Sequence, residues 1–300
     1  MADNIKLLIT DLDNTLFDWL SSFVPAFYAM VDVASMILSV DREQLLDEMK
    51  AVHQRYHNSE QPFALLETAT VARKYPNESA LTRKDLLREA FREFNEVRKA
   101  KLQLYPGVRE TLQEIRKIGC VVVGHTEAVA ENSMHRLELL KLLKEVQCLY
   151  ALRSSAPSHP DPDRLAIEEK YKGSLYLLPS DHRKPDPAVL KDICFRHGVA
   201  VKDTLYVGDS IPRDVAMAKS AGARAAWARY GHRHDVDLWH RLVRVTHWSE
   251  ADVVHEKQLQ SAYQQVKPDI IMDSFADLLA TCEFAGPAQG SEARALAASV

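Results

Sequence analysis

The sequence predicts an α/β fold, a doubly wound parallel sheet with an all-helical domain inserted into it. Short apolar runs that end in polar residues alternate with segments of helical periodicity, which is typical of strands joined by helical crossovers. The segment 17–104 interrupts this alternation because it has helical periodicity and no strand pattern. We therefore predict a core built from residues 1–16 and 105–284, a helical insertion at 17–104 and a disordered tail at 285–300.

The same patterns place the individual elements. Strands are predicted at residues 5–10, 120–126, 146–152, 174–178, 204–208, 223–228 and 269–273. Helices are predicted at residues 24–38, after an N-cap at Asp41, after an opening at 82–85, and at residues 108–118, 187–197, 215–221 and 275–281. The Pro/Ser-rich stretch within 153–173 predicts a long loop, and the polar, His-rich stretch 231–267 predicts a solvated, mobile insertion.

The composition is that of an ordinary soluble protein. The 300 residues carry a net charge of −4, so no basic surface is expected to attract nucleic acid. Four scattered cysteines without a CxxC pair suit a reducing compartment: Cys120, Cys148, Cys194 and Cys282. The first residues do not resemble a signal peptide, and the apolar stretch 24–40 is too short for a membrane span. We expect a cytoplasmic protein with no nucleic-acid or membrane partner, and the sequence leaves its oligomeric state open.

Two acidic residues, Asp11 and Asp13, follow the first predicted strand directly. Ligands of parallel sheets bind beyond the carboxyl ends of the strands, where α/β folds place their chemistry. Two carboxylates this close require a proton, a basic side chain or a metal ion between them. An EF-hand is excluded, since Leu16 and Ser22 occupy the positions of its required Gly and Glu. Taken alone, the pair also fits turn or helix-cap chemistry.

Polar residues follow other predicted strands as well. Thr126 ends the second strand, Lys184 follows the fourth, and Asp209 with Asp214 follows the fifth. Parallel, adjacent strands would bring these groups to one edge of the sheet. Carboxylates, an amine and a hydroxyl in one place suit a phosphoryl group with Mg²⁺, because Mg²⁺ prefers oxygen ligands and lysine neutralises phosphoryl oxygens.

These motifs, in this order, resemble the haloacid dehalogenase (HAD) superfamily of phosphohydrolases. The resemblance covers the chain to about residue 281. The motifs are Asp11-Leu12-Asp13-Asn14-Thr15, the apolar strand ending in Thr126, Lys184-Pro185-Asp186-Pro187, and Gly208-Asp209-Ser210 with Asp214. The turn Tyr105-Pro106-Gly107 is typical of members whose helical cap, of the C1 type, follows the first motif.

The resemblance implies a role for each motif. Asp11 would be the nucleophile that forms an aspartyl-phosphate. Asp13 would protonate the leaving oxygen and then activate water. Thr126 and Lys184 would hold the phosphoryl oxygens. The helical insertion would close over the site, exclude water and read the substrate, which we expect to be a small soluble phosphorylated metabolite.

The resemblance also implies a Mg²⁺ cofactor. Asp11, the backbone carbonyl of Asp13, and Asp209 would bind the ion. Asp214 would support the metal site or Lys184.

Several residues depart from the family pattern or resist assignment. Glu127 stands after Thr126 where Asn is frequent, and His125 stands before it where an apolar residue is common. The segment 53–60 suits either a specificity loop or a polar helix end. The histidines suggest a metal cluster or, with better support from their spacing, a solvated insertion: His232, His234, His240 and His247.

Other functions stay open on the sequence alone. A dehalogenase of the same superfamily needs no second acid, so Asp13 favours the phosphatase. A phosphomutase uses the same acids and differs in how well its cap excludes water. A non-enzymatic phospho-acceptor or regulatory module also combines acids, a hydroxyl and a lysine, although it would not need the large insertion.

Overall fold

The structure, a computed structural model, describes residues 4–61, 63–153, 167–233 and 235–287. At its centre is a parallel sheet of seven strands in the order β4-β3-β2-β1-β5-β6-β7. The strands are β1 Leu7–Thr10, β2 Val121–Val129, β3 Cys148–Leu152, β4 Leu175–Leu178, β5 Thr204–Gly208, β6 Arg224–Ala228 and β7 Ile270–Met272. The predicted doubly wound parallel α/β fold is confirmed. Residues 154–166, which hold most of the predicted Pro/Ser loop, and most of the predicted tail lie outside the described residues.

Five helices lie between β1 and residue 105 in the described part of the chain. They are α1 Trp19–Leu38, α2 Arg42–Tyr56, α3 Ala69–Lys74, α4 Ala80–Leu86 and α5 Arg88–Lys101, with a 3₁₀ turn at Ala64–Glu67. The N-cap predicted at Asp41 is confirmed, because its carboxylate accepts a hydrogen bond from the Glu43 N–H at 2.9 Å. Helix α1 starts earlier than predicted because Asp18 caps it, accepting from the Ser21 N–H at 2.9 Å.

The predicted helix opening at 82–85 is wrong. Ser79 is the N-cap of α4, since its Oγ accepts from the Thr82 N–H at 3.1 Å, and the long helix α5 begins only at Arg88. Thr82 and Asp85 resemble an N-cap in the sequence, but the N-cap in the structure is Ser79, about one turn earlier.

Helix α1 is the one helix of the described residues that is long and apolar enough to cross a membrane. Just over half of its apolar window, 56%, is buried inside the protein. Phe23, Phe27 and Val31 pack there with apolar side chains of α2 and α5. This burial accounts for the apolar composition of α1.

The remaining named helices follow the insertion in the chain. They are α6 Val108–Lys117, α7 Ala130–Leu139, α8 Pro187–Arg196, α9 Ala216–Ala221, α10 Val236–Val245, α11 Glu250–Tyr263 and α12 Asp277–Thr281. Helices α6 and α7 cover one face of the sheet, and their apolar side chains form one cluster with Leu8 of β1. Helices α8 and α9 cover the other face, where their apolar side chains form one cluster with Leu7 and Ile9. Because both faces are covered, successive strand residues are buried without polar alternation.

The described residues of the stretch 231–267 form helices, and the predicted solvated insertion is wrong for α10, whereas α11 has no buried residue. Leu242 and Val245 of α10 are buried in the same apolar cluster as α1 and α2. Tyr28 donates to the Arg241 carbonyl at 2.9 Å and fixes α10 further. Helix α10 therefore extends the apolar core of the helical insertion. That residues 17–104 form a separate domain stays a prediction.

The histidine metal cluster, which was the less favoured alternative, is not present in the described residues. His234 lies outside them, and no group of metal-ligand geometry includes His232, His240 or His247. Instead His247 Nδ1 lies 2.9 Å from Ser59 Oγ, which connects the end of α10 to the insertion.

We predict that the contact between α10 and the insertion is sensitive to pH. His53 Nδ1 lies 2.7 Å from the Val245 carbonyl oxygen, and burial lowers the pKa of His53 to about 4. The unfolded chain takes up a proton near pH 6.5, whereas the folded chain does so only near pH 4. The free energy of unfolding should therefore fall by about 3 kcal/mol as the pH drops through this window.

Urea unfolding between pH 7.5 and 4.5 measures this effect. His53→Asn is the matched control, because its side-chain amide can donate to the Val245 carbonyl but does not titrate. The variant should lose less stability than the wild type over the same pH range. Equal losses in both proteins would contradict the assignment.

Candidate active site

The carboxyl ends of β1, β2 and β5 bring together most of the predicted polar residues. Strand β1 lies between the other two, and the parallel register aligns Thr10 with Gly124 on one side and with Val207 on the other. Asp11 follows β1 directly and is buried, and its backbone N–H donates to the Val207 carbonyl at 2.8 Å. Residues that follow these three strands therefore share one edge of the sheet.

Lys184 is the buried cation of this edge. Its Nζ donates to Asp11 Oδ1 at 2.5 Å and lies 2.8 Å from Asp214 Oδ1. Burial disfavours the charged amine, but the carboxylates of Asp11 and Asp214 outweigh burial and hold the pKa of Lys184 well above its ordinary value. Lys184 is therefore a permanent point charge that can bind an anion.

The acids of this edge carry more negative charge than Lys184 compensates. Burial raises the pKa of Asp11 to about 7, although Lys184 acts in the opposite direction. Burial also raises the pKa of Asp209 well above its ordinary value, and the charges of Asp11 and Asp214 raise it further. A site of this kind favours an additional cation or a proton.

Three carboxylates have the geometry of a metal site. Oxygen atoms of Asp11, Asp209 and Asp214 lie within 4.8 Å of one another, and no other group of acids, histidines or cysteines in the described part of the chain does so. Gly208 is required here, because a Cβ on it would lie 2.3 Å from Asp214 Cγ. Oxygen donors with uncompensated charge fit a hard divalent ion such as Mg²⁺. The predicted ligands Asp11 and Asp209 belong to this group, while the Asp13 carboxylate does not.

The carboxylate of Asp13 forms an ion pair with Arg136 of α7. The distance from Arg136 Nη1 to Asp13 Oδ1 is 2.8 Å, and Arg136 also pairs with Glu60 of the insertion. Burial raises the pKa of Asp13 to about 6, against the opposing charge of Arg136. A carboxyl group that titrates near this pH can both release and accept a proton.

Sequence reasoning missed Arg136 and its pairing with Glu60, which belongs to the candidate segment 53–60. Arg136 is 2% exposed and lies among the buried residues of α7, which include Met134 and Leu137. The available signal was an arginine beside the apolar face of a helix. Such an arginine, if buried, requires acidic partners. Its partner Asp13 is 123 residues away, so the pairing itself leaves no local pattern.

The second motif lies at an irregularity of β2. The pairing of β2 with β3 shifts between Thr126 and Val129, and Thr126 Oγ1 accepts from the Ala128 N–H at 3.1 Å. Such irregularities redirect side chains at the ends of strands. The phosphate contact of Thr126 stays a prediction. His125 is a core residue, because its Nδ1 lies 3.1 Å from the Tyr206 hydroxyl and burial holds its pKa well below the ordinary value.

Glu127, which departs from the family pattern, takes part in an ion-pair chain. Its Oε2 accepts from Arg213 Nη1 at 3.2 Å, and Arg213 Nη2 donates to Glu256 Oε2 of α11 at 2.5 Å. The charge of Glu127 is thereby paired, and β2 is connected to α11.

A large cavity opens beside these residues. It has a volume of about 690 Å³, and both Asp13 and Lys184 line it. Part of the polar segment 53–60 lies in its wall, including His57 and Glu60, and so do residues of α10 and α11. Whether segment 53–60 selects the substrate stays a prediction.

Two family models match this chain. A family model described as haloacid dehalogenase-like hydrolase matches residues 5–222. A second model, described as HAD-hydrolase-like, matches residues 182–278. The chain belongs to the haloacid dehalogenase-like hydrolase family.

Several known proteins are similar to this chain. It is 28% identical to the phosphoglycolate phosphatase of Pseudomonas putida over 231 residues, which are 76% of this chain and 71% of that protein. It is 24% identical to the glyceraldehyde 3-phosphate phosphatase of Methanopyrus kandleri over 240 residues, 78% and 88% of the two chains. Among solved structures, a putative β-phosphoglucomutase from Thermotoga maritima aligns with a TM-score of 0.49 at 16% identity, covering 92% of this chain and 97% of the other.

We predict that Gly231 is essential to the shape of the site. A Cβ on Gly231 would lie 1.7 Å from the backbone oxygen of Asn14 and 3.1 Å from the Cβ of Asp209. Gly231→Ala should therefore displace the segment after Asp13 and lower phosphate-ester hydrolysis by about tenfold or more. Steady-state kinetics and a thermal melt measure the two effects separately.

Gly173→Ala is the control for this substitution. Gly173 has a positive φ of 83°, unlike Gly231, and a Cβ there meets no atom within 4 Å. It should cost about 1 kcal/mol of stability from backbone strain and leave the kinetic constants unchanged. Equal activity of Gly231→Ala and the wild type would contradict the prediction.

Proposed function

We propose that the protein is a Mg²⁺-dependent hydrolase that cleaves the phosphate monoester of a small soluble metabolite through an aspartyl-phosphate intermediate. The observation that carries the proposal is the buried contact of Lys184 with Asp11 inside a cluster of acids. A nucleophilic carboxylate beside a fixed cation suits attack on an anionic phosphoryl group. The phosphatase names of two relatives support the same reaction class.

In the first step Asp11 attacks phosphorus. A bond forms between a carboxylate oxygen of Asp11 and phosphorus while the bond from phosphorus to the ester oxygen breaks. Asp13 gives its proton to that oxygen, so the alcohol leaves uncharged. Lys184 and Thr126 hold the phosphoryl oxygens during the transfer.

In the second step water releases the phosphoryl group. Asp13, now ionised, takes a proton from a water molecule whose oxygen bonds to phosphorus. The bond between phosphorus and Asp11 breaks, inorganic phosphate leaves, and both acids return to their starting states. The ion pair with Arg136 orients Asp13 for both proton transfers.

Mg²⁺ fits the acid cluster because the acids carry more negative charge than Lys184 compensates. Asp11, Asp209 and the Asp13 carbonyl would hold the ion, and Asp214 would support it. The bound ion would stabilise negative charge that builds up on the phosphoryl oxygens. The helical insertion would act as the cap that excludes water during the first step.

The proposal also includes the cellular compartment and the partner of the protein. All four cysteines are free thiols, which supports a reducing, cytoplasmic compartment. A phosphorylated small molecule is the one partner that the site requires.

Phosphate release from a panel of monoesters, including p-nitrophenyl phosphate, tests the proposal. The wild type should release phosphate with Mg²⁺ and lose this activity with EDTA. Asp11→Asn should abolish turnover, because the amide cannot form the intermediate. Asp192→Asn, an acid on the surface of α8, is the matched control and should retain wild-type rates.

Three outcomes would contradict the proposal. Release of phosphate by Asp11→Asn at the wild-type rate would exclude Asp11 as the nucleophile. A phosphorylated protein that is stable and does not turn over would favour a regulatory module. A folded protein that binds Mg²⁺ and releases no phosphate from any ester would favour a mutase or a dehalogenase.

A further inference from the structure

The cavity beside the acid cluster is much larger than a phosphoryl group requires. Its volume of about 690 Å³ falls within the range of about 300–1,000 Å³ in which proteins bind drug-sized ligands. Asp13 and Lys184 are two of its lining residues. The rest of the cavity is therefore available to the alcohol part of the ester.

Many lining residues of the cavity belong to a segment that we call the two-helix wall, residues 236–263. It contains α10, α11 and their connection. It contributes Trp239, Val243, Trp248, Asp252 and Glu256, among others, to the lining. The alcohol part of the substrate consequently meets this wall as well as the helical insertion.

The two-helix wall is anchored on both sides of the cavity. On the side of the insertion, Arg244 Nη2 lies 2.8 Å from Asp47 Oδ1, and Leu242 is buried against α1 and α2. On the side of the sheet, Arg213 holds Glu256 at 2.5 Å. The wall is thus a preformed surface, as ligand pockets usually are.

The chemistry of the wall favours a flat ring. Trp239 is 36% exposed and Val243 is 45% exposed, although both line a concave site where apolar surface usually binds a ligand. The charged residues that the wall contributes to the lining are the acids Asp252 and Glu256, with no lysine or arginine. Glu256 is paired with Arg213, which lines the cavity together with Arg153 and Arg183, so these acids do not decide the charge of the ligand. A flat ring would stack on indole.

We infer that the substrate is a monophosphate ester whose alcohol carries a flat ring system of about nucleoside size, bound against Trp239 and Trp248 of the two-helix wall. The inference rests on the proposed phosphatase function and names the substrate class of the same site. Trp239 and Trp248 are specificity-determining residues that do not touch the reacting atoms.

Three probe esters separate the contributions of ring and charge. Adenosine 5′-monophosphate carries an uncharged ring, ribose 5-phosphate lacks the ring, and 2-phosphoglycolate is small and carries an extra carboxylate. The wild type should have its highest kcat/KM with the first. A stacked ring is expected to raise kcat/KM by about tenfold or more over ribose 5-phosphate.

Variants locate the effect on the wall. Trp239→Ala should lower kcat/KM for adenosine monophosphate by about tenfold and for ribose 5-phosphate by less than about twofold, and Trp239→Phe should restore most of the loss. Phe195→Ala on α8 is the matched control, since Phe195 is an exposed aromatic residue that does not line the cavity. It should leave both constants unchanged. Circular dichroism melts confirm that each variant is folded.

Binding to the inactive Asp11→Asn protein gives a readout that does not depend on turnover. Calorimetry should show tighter binding of adenosine monophosphate than of ribose 5-phosphate, and Trp239→Ala in the same background should remove the difference.

The outcomes distinguish this inference from the proposed function. Equal or better hydrolysis of 2-phosphoglycolate, or equal losses by Trp239→Ala for all three esters, would overturn the inference and leave the phosphatase in place. Absence of hydrolysis for every ester would contradict the proposed function. In that case equal binding of the ring-bearing and ring-free esters would overturn the inference separately.

Discussion

The buried ion pair between Lys184 and two carboxylates is the interaction on which the rest of the site depends. Removing one partner of such a pair leaves a charge without compensation and costs about 3–5 kcal/mol. Lys184 contacts Asp11 at 2.5 Å and Asp214 at 2.8 Å, so one amine serves two acids. Asp209 adds a third carboxylate within 4.8 Å. The cluster therefore combines a fixed cation with an excess of negative charge, and this excess is what a metal ion would neutralise.

Lys184 and its acidic partners come together only in the folded chain. Lys184 and Asp11 are 173 residues apart, so they meet only when the strands that precede them have joined one sheet. The parallel register on both sides of β1 brings the following residues to one edge, and Gly208 leaves room for the Asp214 carboxylate. Folding of the sheet and formation of the site are consequently one event, and a mutation that shifts the register would affect both.

Local features could be predicted from the sequence, and so could the shared sheet edge of Asp11, Lys184 and Asp209, but the pairings of helix and loop residues could not. An apolar run that stops at an acid is a local pattern, which is why the strands and Asp11 and Asp209 could be placed. Arg136 meets Asp13 from 123 residues away, so the pairing has no local pattern. Helix α10 looked solvated because its buried face is only Leu242 and Val245, and the helices that cover that face come some 200 residues earlier. Glu127 looked out of place because its partner Arg213 lies 86 residues further on.

Thermal unfolding with and without Mg²⁺ tests the central claim most directly. If the excess charge of the cluster forms a cation site, Mg²⁺ at about a hundredfold its Kd should stabilise the wild type by about 2.7 kcal/mol. Asp192→Asn, which changes an acid outside the site, should respond equally. Asp209→Asn should lose the response and be more stable than the wild type without metal, because one of three repelling carboxylates is gone. No shift of the wild-type Tm, or an equal shift in Asp209→Asn, would contradict the account.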